Sequence, residues 1–349
     1  MSTRPIDLLV AGGGPAGLVT ALHAARAGLE VEVWEPRPGD IDKACGEGLM
    51  PGALASLHSL GVDPPGQPFH GIRYVGSGRT ADADFRAGPG RGIRRTTLHC
   101  ALREAALGAG ARIEPRALRT LTQDEATVTA DGVRARHLVA ADGLHSPVRR
   151  MLGLTGTASR HPRFGLRRHF HTPPWSPYVE VHWAPQVEAY VTPVGGGLVG
   201  VNVLAATHGG SFDDRLRAVP GLPDLLAGAE AVGDVRGAGP LWQGARRRVA
   251  GRVLLVGDAG GYVDALTGEG LALAFAQAGA AVRAIVDGAP DRYERDWARL
   301  TRRYRWLTAA LLLGTRPRFV RRSLVPVSRA LPPLFHGAVN ALAGPASGH

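Results

Sequence analysis

The stretch IDLLVAGGGPAGLVTALHAARAGLEVEVWE, Ile6 to Glu35, decides how the rest of the chain is read. Asp7-Leu8-Leu9-Val10 opens as a short β-rich apolar run. Gly12, Gly14 and Gly17 follow in G-x-G-x-x-G spacing. Pro15 to Ala27 has helical periodicity, with Leu18, Leu22 and Ala25 on one face and Gly28 placed to cap the C-terminus. Val31 to Trp34 is a second strand, and Glu35 ends it. In such a unit Gly12 permits a tight turn, Gly14 lets backbone approach a pyrophosphate, and Gly17 lets the helix lie close on the sheet. At Pro15 and Ala16 the helix begins, so free N–H groups and the positive dipole end face the phosphates. Glu35 lies 18 residues after Gly17, where a carboxylate can hold the hydroxyls of an unphosphorylated ribose. A dinucleotide is expected here, FAD or NAD rather than NADP.

Composition bounds the rest. The 349 residues suffice for one large domain or two moderate ones, and 44% hydrophobic content supplies a core. Glycine, at 48 residues, is about twice its usual share of ~7%. The formal charge is +11. Lys43 is the only lysine, and the remaining positive charge reads as arginine scattered along the chain. That is a compositional bias with a solvated basic surface, so no nucleic-acid partner is expected. Such a surface still attracts anionic cofactors and membrane headgroups. Cys45 and Cys100 are the only cysteines, which excludes a disulfide framework and makes a reducing cytoplasm the expected setting. No charged-then-apolar leader precedes the first strand, and no apolar run reaches the ~20 residues that span a bilayer. No metal site is expected.

Beyond Glu35, a polar loop from Pro36 to Pro51 contains Asp42-Lys43-Ala44-Cys45-Gly46-Glu47-Gly48, and its position predicts that it sits over the cofactor. Ala53 to Leu60 reads as a short helix, and Gly71 to Phe85 as strands of a separate sheet. Arg94 to Leu98 opens a helix whose apolar face is Leu98, Ala101, Leu102, Ala105, Ala106 and Ala109. Gly132 to Arg136 and His137 to Ala141 read as two strands, and the second leads into Asp142-Gly143-x-x-Ser146-x-x-Arg149. From about Arg160 to Trp242, short alternating segments predict an antiparallel sheet. Gly195, Gly197 and Gly200 repeat the glycine spacing there, but a strand follows them, so they read as a hairpin turn. Arg252 to Val256 is a buried strand before Gly257-Asp258-Ala259. Thr267-Gly268-Glu269-Gly270 then opens a helix to about Val286. Asp291 to His349 is helical and then broken by proline.

These three separated segments, each after a strand, resemble the signatures of the FAD-dependent aromatic hydroxylases (p-hydroxybenzoate hydroxylase-like) and the geranylgeranyl reductases, from about residue 5 to 290. The resemblance implies an α/β fold: a Rossmann-like FAD-binding domain (1–70, 91–158 and 245–300), an antiparallel β-sheet substrate domain (71–90 and 159–244) and a C-terminal helical segment (301–349). It implies that Asp258 binds the ribityl chain of FAD, that Asp142 belongs to the middle signature, and that Arg95 contacts the cofactor. N–H groups at Gly268 and Gly270 can then face the flavin pyrimidine edge and stabilise its anionic reduced form. No second strand–glycine–helix unit exists, so NADH or NADPH is expected as a transient electron donor.

Two departures separate the branches. Ala265 stands where hydroxylases carry proline, and Gly260 or Gly261 where they carry His or Ser. Leu266-Thr267-Gly268-Glu269-Gly270 and Lys43-x-Cys45-Gly46 look more like the reductases, in which a cysteine sits close to the flavin. Cys45 is thus either the catalytic candidate or a small buried hydrophobe. Lys43 and Glu47 read as loop surface or as charges beside the cofactor, with surface favoured for Lys43. The resemblance implies an FAD-dependent oxidoreductase acting on a hydrophobic small molecule. Oxygen transfer to an aromatic or polyketide-like substrate is expected first, and reduction of C=C bonds in a prenyl or lipid chain second. Trp183, Tyr190 and Trp242 are candidates for the substrate wall. The basic, apolar C-terminal region reads as ordinary packing ahead of peripheral membrane contact.

Overall fold

The computed structural model describes residues 4–344 apart from 158, 160, 161, 207, 208 and 316. Parts of the ranges 1–70, 91–158, 159–244 and 301–349 therefore lie outside the described residues. Strand Ile6–Ala11 is the centre of the first sheet. It pairs in parallel with Val31–Trp34 on one side and Val133–Ala140 on the other. Val253–Leu255 extends the sheet beyond Val133–Ala140, and Arg112–Glu114 beyond Val31–Trp34. Leu8, Leu9 and Val10 have no exposed surface, because both faces of the sheet are covered. Helices Pro15–Arg26, Arg95–Gly108 and Gly270–Val286 pack together in the core on one face.

One correction concerns Val133–Ala140, which is a single strand where the sequence reads two. Its register with the central strand runs from Ile6↔Ala135 to Ala11↔Ala140. The positive φ angles at Asp131 and Gly132 complete the hairpin before Val133, and nothing after them interrupts pairing.

A second, seven-stranded sheet runs in the order Glu230–Ala238, Phe164–His171, Leu198–Ala205, Val187–Gly195, Val179–Trp183, Gly71–Gly76 and Arg79–Asp84. It is antiparallel except for the join between Val179–Trp183 and Gly71–Gly76, which is parallel. Gly195, Gly196 and Gly197 all have positive φ in the hairpin between two of its strands, as a turn requires. A small third sheet of Gly48–Leu49, Gly90–Gly92 and Gln67–Phe69 anchors the loop after Glu35.

Three helices, Arg292–Gly314, Arg318–Ala330 and Pro332–Ala343, close the chain. Val325, Phe335 and Val339 pack with Ile72, Val181 and Trp183 of the second sheet. Pro317 and Pro332 stand at the starts of the last two helices, where the missing N–H costs nothing. Among the described residues no helix is long and apolar enough to cross a membrane.

Candidate active site

The glycine turn joins the central strand to its helix. Gly12 has φ +102°, and a Cβ there would stand 2.5 Å from the Ala141 carbonyl oxygen. A Cβ on Gly17 would meet the Gly12 carbonyl oxygen at 1.9 Å, so helix and turn are in backbone contact. Gly14 differs. The nearest atom to its absent Cβ is Arg95 Nη2 at 3.8 Å, which leaves the turn open beneath a guanidinium. Glu35 is buried and accepts from Gly13 N at 2.9 Å and from Arg37 N at 3.0 Å. Burial pushes its carboxyl up, but the Arg37 and Gly13 hydrogen bonds outweigh this and hold it below the usual carboxylate range. His99 fixes the turn from the far side, with Nε2 3.0 Å from the Gly13 carbonyl oxygen.

The middle segment follows strand Val133–Ala140. Asp142 Oδ2 accepts from Val148 N at 3.0 Å, while its buried Oδ1 has no partner among the described residues. Burial pushes this carboxyl up. Arg149 is 1% exposed, and its guanidinium donates to the carbonyl oxygens of Ala259 (3.0 Å), Asp258 (3.3 Å) and Leu144 (2.8 Å). It staples the middle segment to the third. There, Gly257 donates its N–H to Gln277 Oε1 at 2.8 Å, and a Cβ on it would touch the Ala16 Cβ at 3.0 Å. Asp258 therefore sits next to the start of the first helix.

The loop carrying Cys45 is held by Glu47, a buried acid with φ 58°. A left-handed non-glycine residue costs about 1–3 kcal/mol and needs compensation. Glu47 Oε1 accepts from Arg95 N at 2.8 Å, and Oε2 meets His169 Nε2 at 2.6 Å. Arg167, also buried, pairs with Asp42 of the same loop. The Gly46 carbonyl accepts from Thr192 Oγ1 at 2.8 Å. Both ends of the loop are thus fastened to the second sheet. Lys43 is not a plain surface residue: its Nζ lies 3.4 Å from Asp258 Oδ2, with only 35% of the side chain exposed. Sequence reading missed Arg167 and His169, whose arginine-histidine alternation on a strand resembles a solvated edge.

The glycine turn, the middle and third segments and the Cys45 loop face one cavity of about 1110 Å³. Gly12, Gly14, Pro15, Ala16 and Glu35 line it, as do Cys45, Gly46, Arg95 and Asp142. Gly257, Asp258, Thr267, Gly268 and Gly270 complete that side. Gly17 and Glu269 do not line it. Gly17 is consumed in packing. Glu269 lies close enough to Thr267 and Arg303 to feel both, and burial pushes its carboxyl up to about 7. The opposite wall is largely apolar, with Phe69, Ile72, Val181 and Tyr190 from the sheets and Leu311 and Val339 from the C-terminal helices. Tyr190 donates to the Leu266 carbonyl at 3.2 Å. Trp242 lines a separate cavity of about 140 Å³ behind Asp258, and Trp183 lines neither.

Pockets for one drug-sized ligand hold roughly 300–1,000 Å³, so this space is large enough for an extended dinucleotide. The unpartnered Asp142 oxygen and the open Gly14 cradle fit such a cofactor. Fold and site define a flavin-dependent oxidoreductase. Residues 5–199 match the family model described as FAD binding domain, and the chain belongs to that FAD-binding family.

A menaquinone reductase of Mycolicibacterium smegmatis is 30% identical over 372 aligned positions, covering 92% of this chain and 87% of that protein. Digeranylgeranylglycerophospholipid reductase 1 of Methanothermobacter thermautotrophicus is 29% identical, over 76% of this chain and 73% of that protein. A 3-(3-hydroxy-phenyl)propionate/3-hydroxycinnamic acid hydroxylase of Comamonas testosteroni is 30% identical over 52% of this chain and 34% of that protein. The solved structure of a flavin-dependent brominase superposes with a TM-score of 0.80 at 19% identity, covering 98% of this chain and 94% of that one, a likeness of fold.

Proposed function

We propose that this enzyme uses FAD to reduce C=C bonds in the hydrophobic chain of a prenylated or lipid-like molecule, with NADH or NADPH as transient electron donor. The observation that carries the reading is the single cavity that joins the three glycine- and acid-bearing strand ends to a long apolar wall. The reductase relatives align along 76–92% of this chain, whereas the hydroxylase aligns along 52%. That balance reverses the order in which the sequence ranks the two reactions.

Bound FAD would supply the hydride chemistry. Glu35 would hold the adenosine ribose, and Gly14 with the helix start at Pro15 the pyrophosphate. Arg95 adds positive charge above that turn. Asp142 and Asp258 offer carboxylate oxygens to the cofactor's hydroxyls, and Lys43 balances Asp258. Free N–H groups at the start of helix Gly270–Val286 favour negative charge on the ring edge. Saturating a double bond takes a hydride and a proton. Cys45 lines the cavity on a loop fixed by Glu47, which makes its thiol the candidate proton donor.

The test is mass analysis of product from holoenzyme given reductant and a polyprenyl quinone. The expected product has gained two hydrogens for each bond reduced, without oxygen. Cys45→Ala is expected to lose about a hundredfold in rate with FAD retained. A product heavier by one oxygen atom overturns the reading. A Cys45→Ala enzyme at full rate removes Cys45 from it.

A further inference from the structure

The chain's positive charge is not scattered. Residues 297–349 hold nine arginines and no Asp or Glu, so they carry most of the +11 while the preceding residues are nearly balanced. The same region concentrates exposed apolar groups. Among the described residues, six of the eleven large apolar side chains that the fold leaves exposed are Trp306, Leu313, Phe319, Val327, Leu331 and Leu334. Trp306 and Leu313 are seven residues apart and share a face of helix Arg292–Gly314. Arg302, Arg322 and Arg329 are exposed, and none has a carboxylate partner among the described residues. The two properties interleave over the first two of these helices, Leu331 and Leu334 carry the apolar part on to the third, and the first and third also give Leu311 and Val339 to the cavity wall.

We propose that the three C-terminal helices dock the enzyme on an anionic lipid bilayer, with these apolar side chains entering the headgroup region and the arginines binding lipid phosphates. Basic residues beside large apolar ones are the composition of an interfacial helix. Arginine attracts the negative surface, and burial of Trp, Phe and Leu retains the protein once it arrives. A nucleic acid would use the arginines but leave Leu313, Leu331 and Leu334 in water. A bilayer uses both. Docked in this way, only the helical layer separates membrane from cavity, so a hydrophobic substrate has a short path. The surface holds whichever reaction the cavity performs.

Full-chain holoenzyme should sediment with phosphatidylcholine vesicles containing phosphatidylglycerol, poorly with phosphatidylcholine alone, and less as salt rises. Substituting Arg302→Gln, Arg322→Gln and Arg329→Gln together should weaken binding to the anionic vesicles roughly a hundredfold. Phe319→Ser should weaken it about tenfold even at low salt. All variants should keep bound flavin, which shows that they are folded. Absence of vesicle binding overturns the proposal, as does binding indifferent to both variant sets. Tighter binding to duplex DNA than to vesicles, lost with the arginines and unaffected by Phe319→Ser, would assign the surface to nucleic acid. A stable dimer that Phe319→Ser dissociates would assign it to a second copy.

Discussion

Gly14 and Gly17 stand three residues apart, yet substitution should harm them differently. An alanine at Gly17 drives its methyl against the Gly12 carbonyl oxygen, 1.9 Å away, and neither backbone can yield without parting helix from sheet. Gly17→Ala is expected to destabilise by about 2 kcal/mol or more, read as a fall in Tm. At Gly14 the nearest atom is a flexible arginine tip at 3.8 Å, so Gly14→Ala should leave the Tm of the cofactor-free protein almost unchanged. Its FAD affinity should fall about tenfold, because the methyl shields the N–H groups from the phosphates. Equal losses of Tm in the two variants would refute this division. These glycines were legible because steric need acts over a few residues. Glu47 was not, since its partners Arg95 and His169 are 48 and 122 residues away. No local spacing reports a contact of that range.

At the scale of one element, the head of helix Gly270–Val286 sets two forces against each other. The helix dipole and Arg303 favour an ionised Glu269, with the dipole contributing about 0.3–1 kcal/mol. Burial opposes them and wins: the carboxyl is pushed up to about 7, and one of its oxygens has no hydrogen-bond partner among the described residues. A folded value above the unfolded one means stability is fully present below about 4.5 and lost as pH rises through about 7. Glu269→Gln should therefore stabilise by on the order of 2 kcal/mol at pH 8 and change little at pH 4.5, by urea denaturation. An equal gain at both pH values would point to packing instead. The nucleotide-side helices were readable because their apolar periodicity is clean. Helix Pro51–Ser59, for instance, falls within two residues of its expected span. The C-terminal helices were harder to divide, because arginine and leucine interleave and Pro326 sits inside one of them.

Across the whole molecule, a buried charge cluster ties the parts together. Glu188 on the second sheet has no exposed side-chain surface and pairs with both Arg163 and Arg321, the latter from helix Arg318–Ala330. Arg163 also reaches Asp264, near the start of helix Gly270–Val286, at 3.2 Å. Glu188→Ala leaves Arg321 and Arg163, only 14% and 13% exposed, without their shared acid, although Arg163 keeps Asp264; this should cost about 3 kcal/mol. Limited proteolysis should then cut the C-terminal helices first, and a loss below about 1 kcal/mol would show that the cluster is wet. Convergence of the three cofactor segments could be foreseen because each follows a strand and strand ends share one edge of a sheet. The cluster could not, because its members come from four unrelated stretches.

Arg149 and the Asp258 carbonyl it grips are 109 residues apart, with five of the second sheet's seven strands made between them. During synthesis the first turn leaves the ribosome early, yet its counterpart emerges only after that whole sheet. A message cut short anywhere in the interval yields a polypeptide without Asp258 or the helix behind it. If Asp258 holds the cofactor as proposed, the yellow of a flavin-loaded preparation is expected only where translation was carried through.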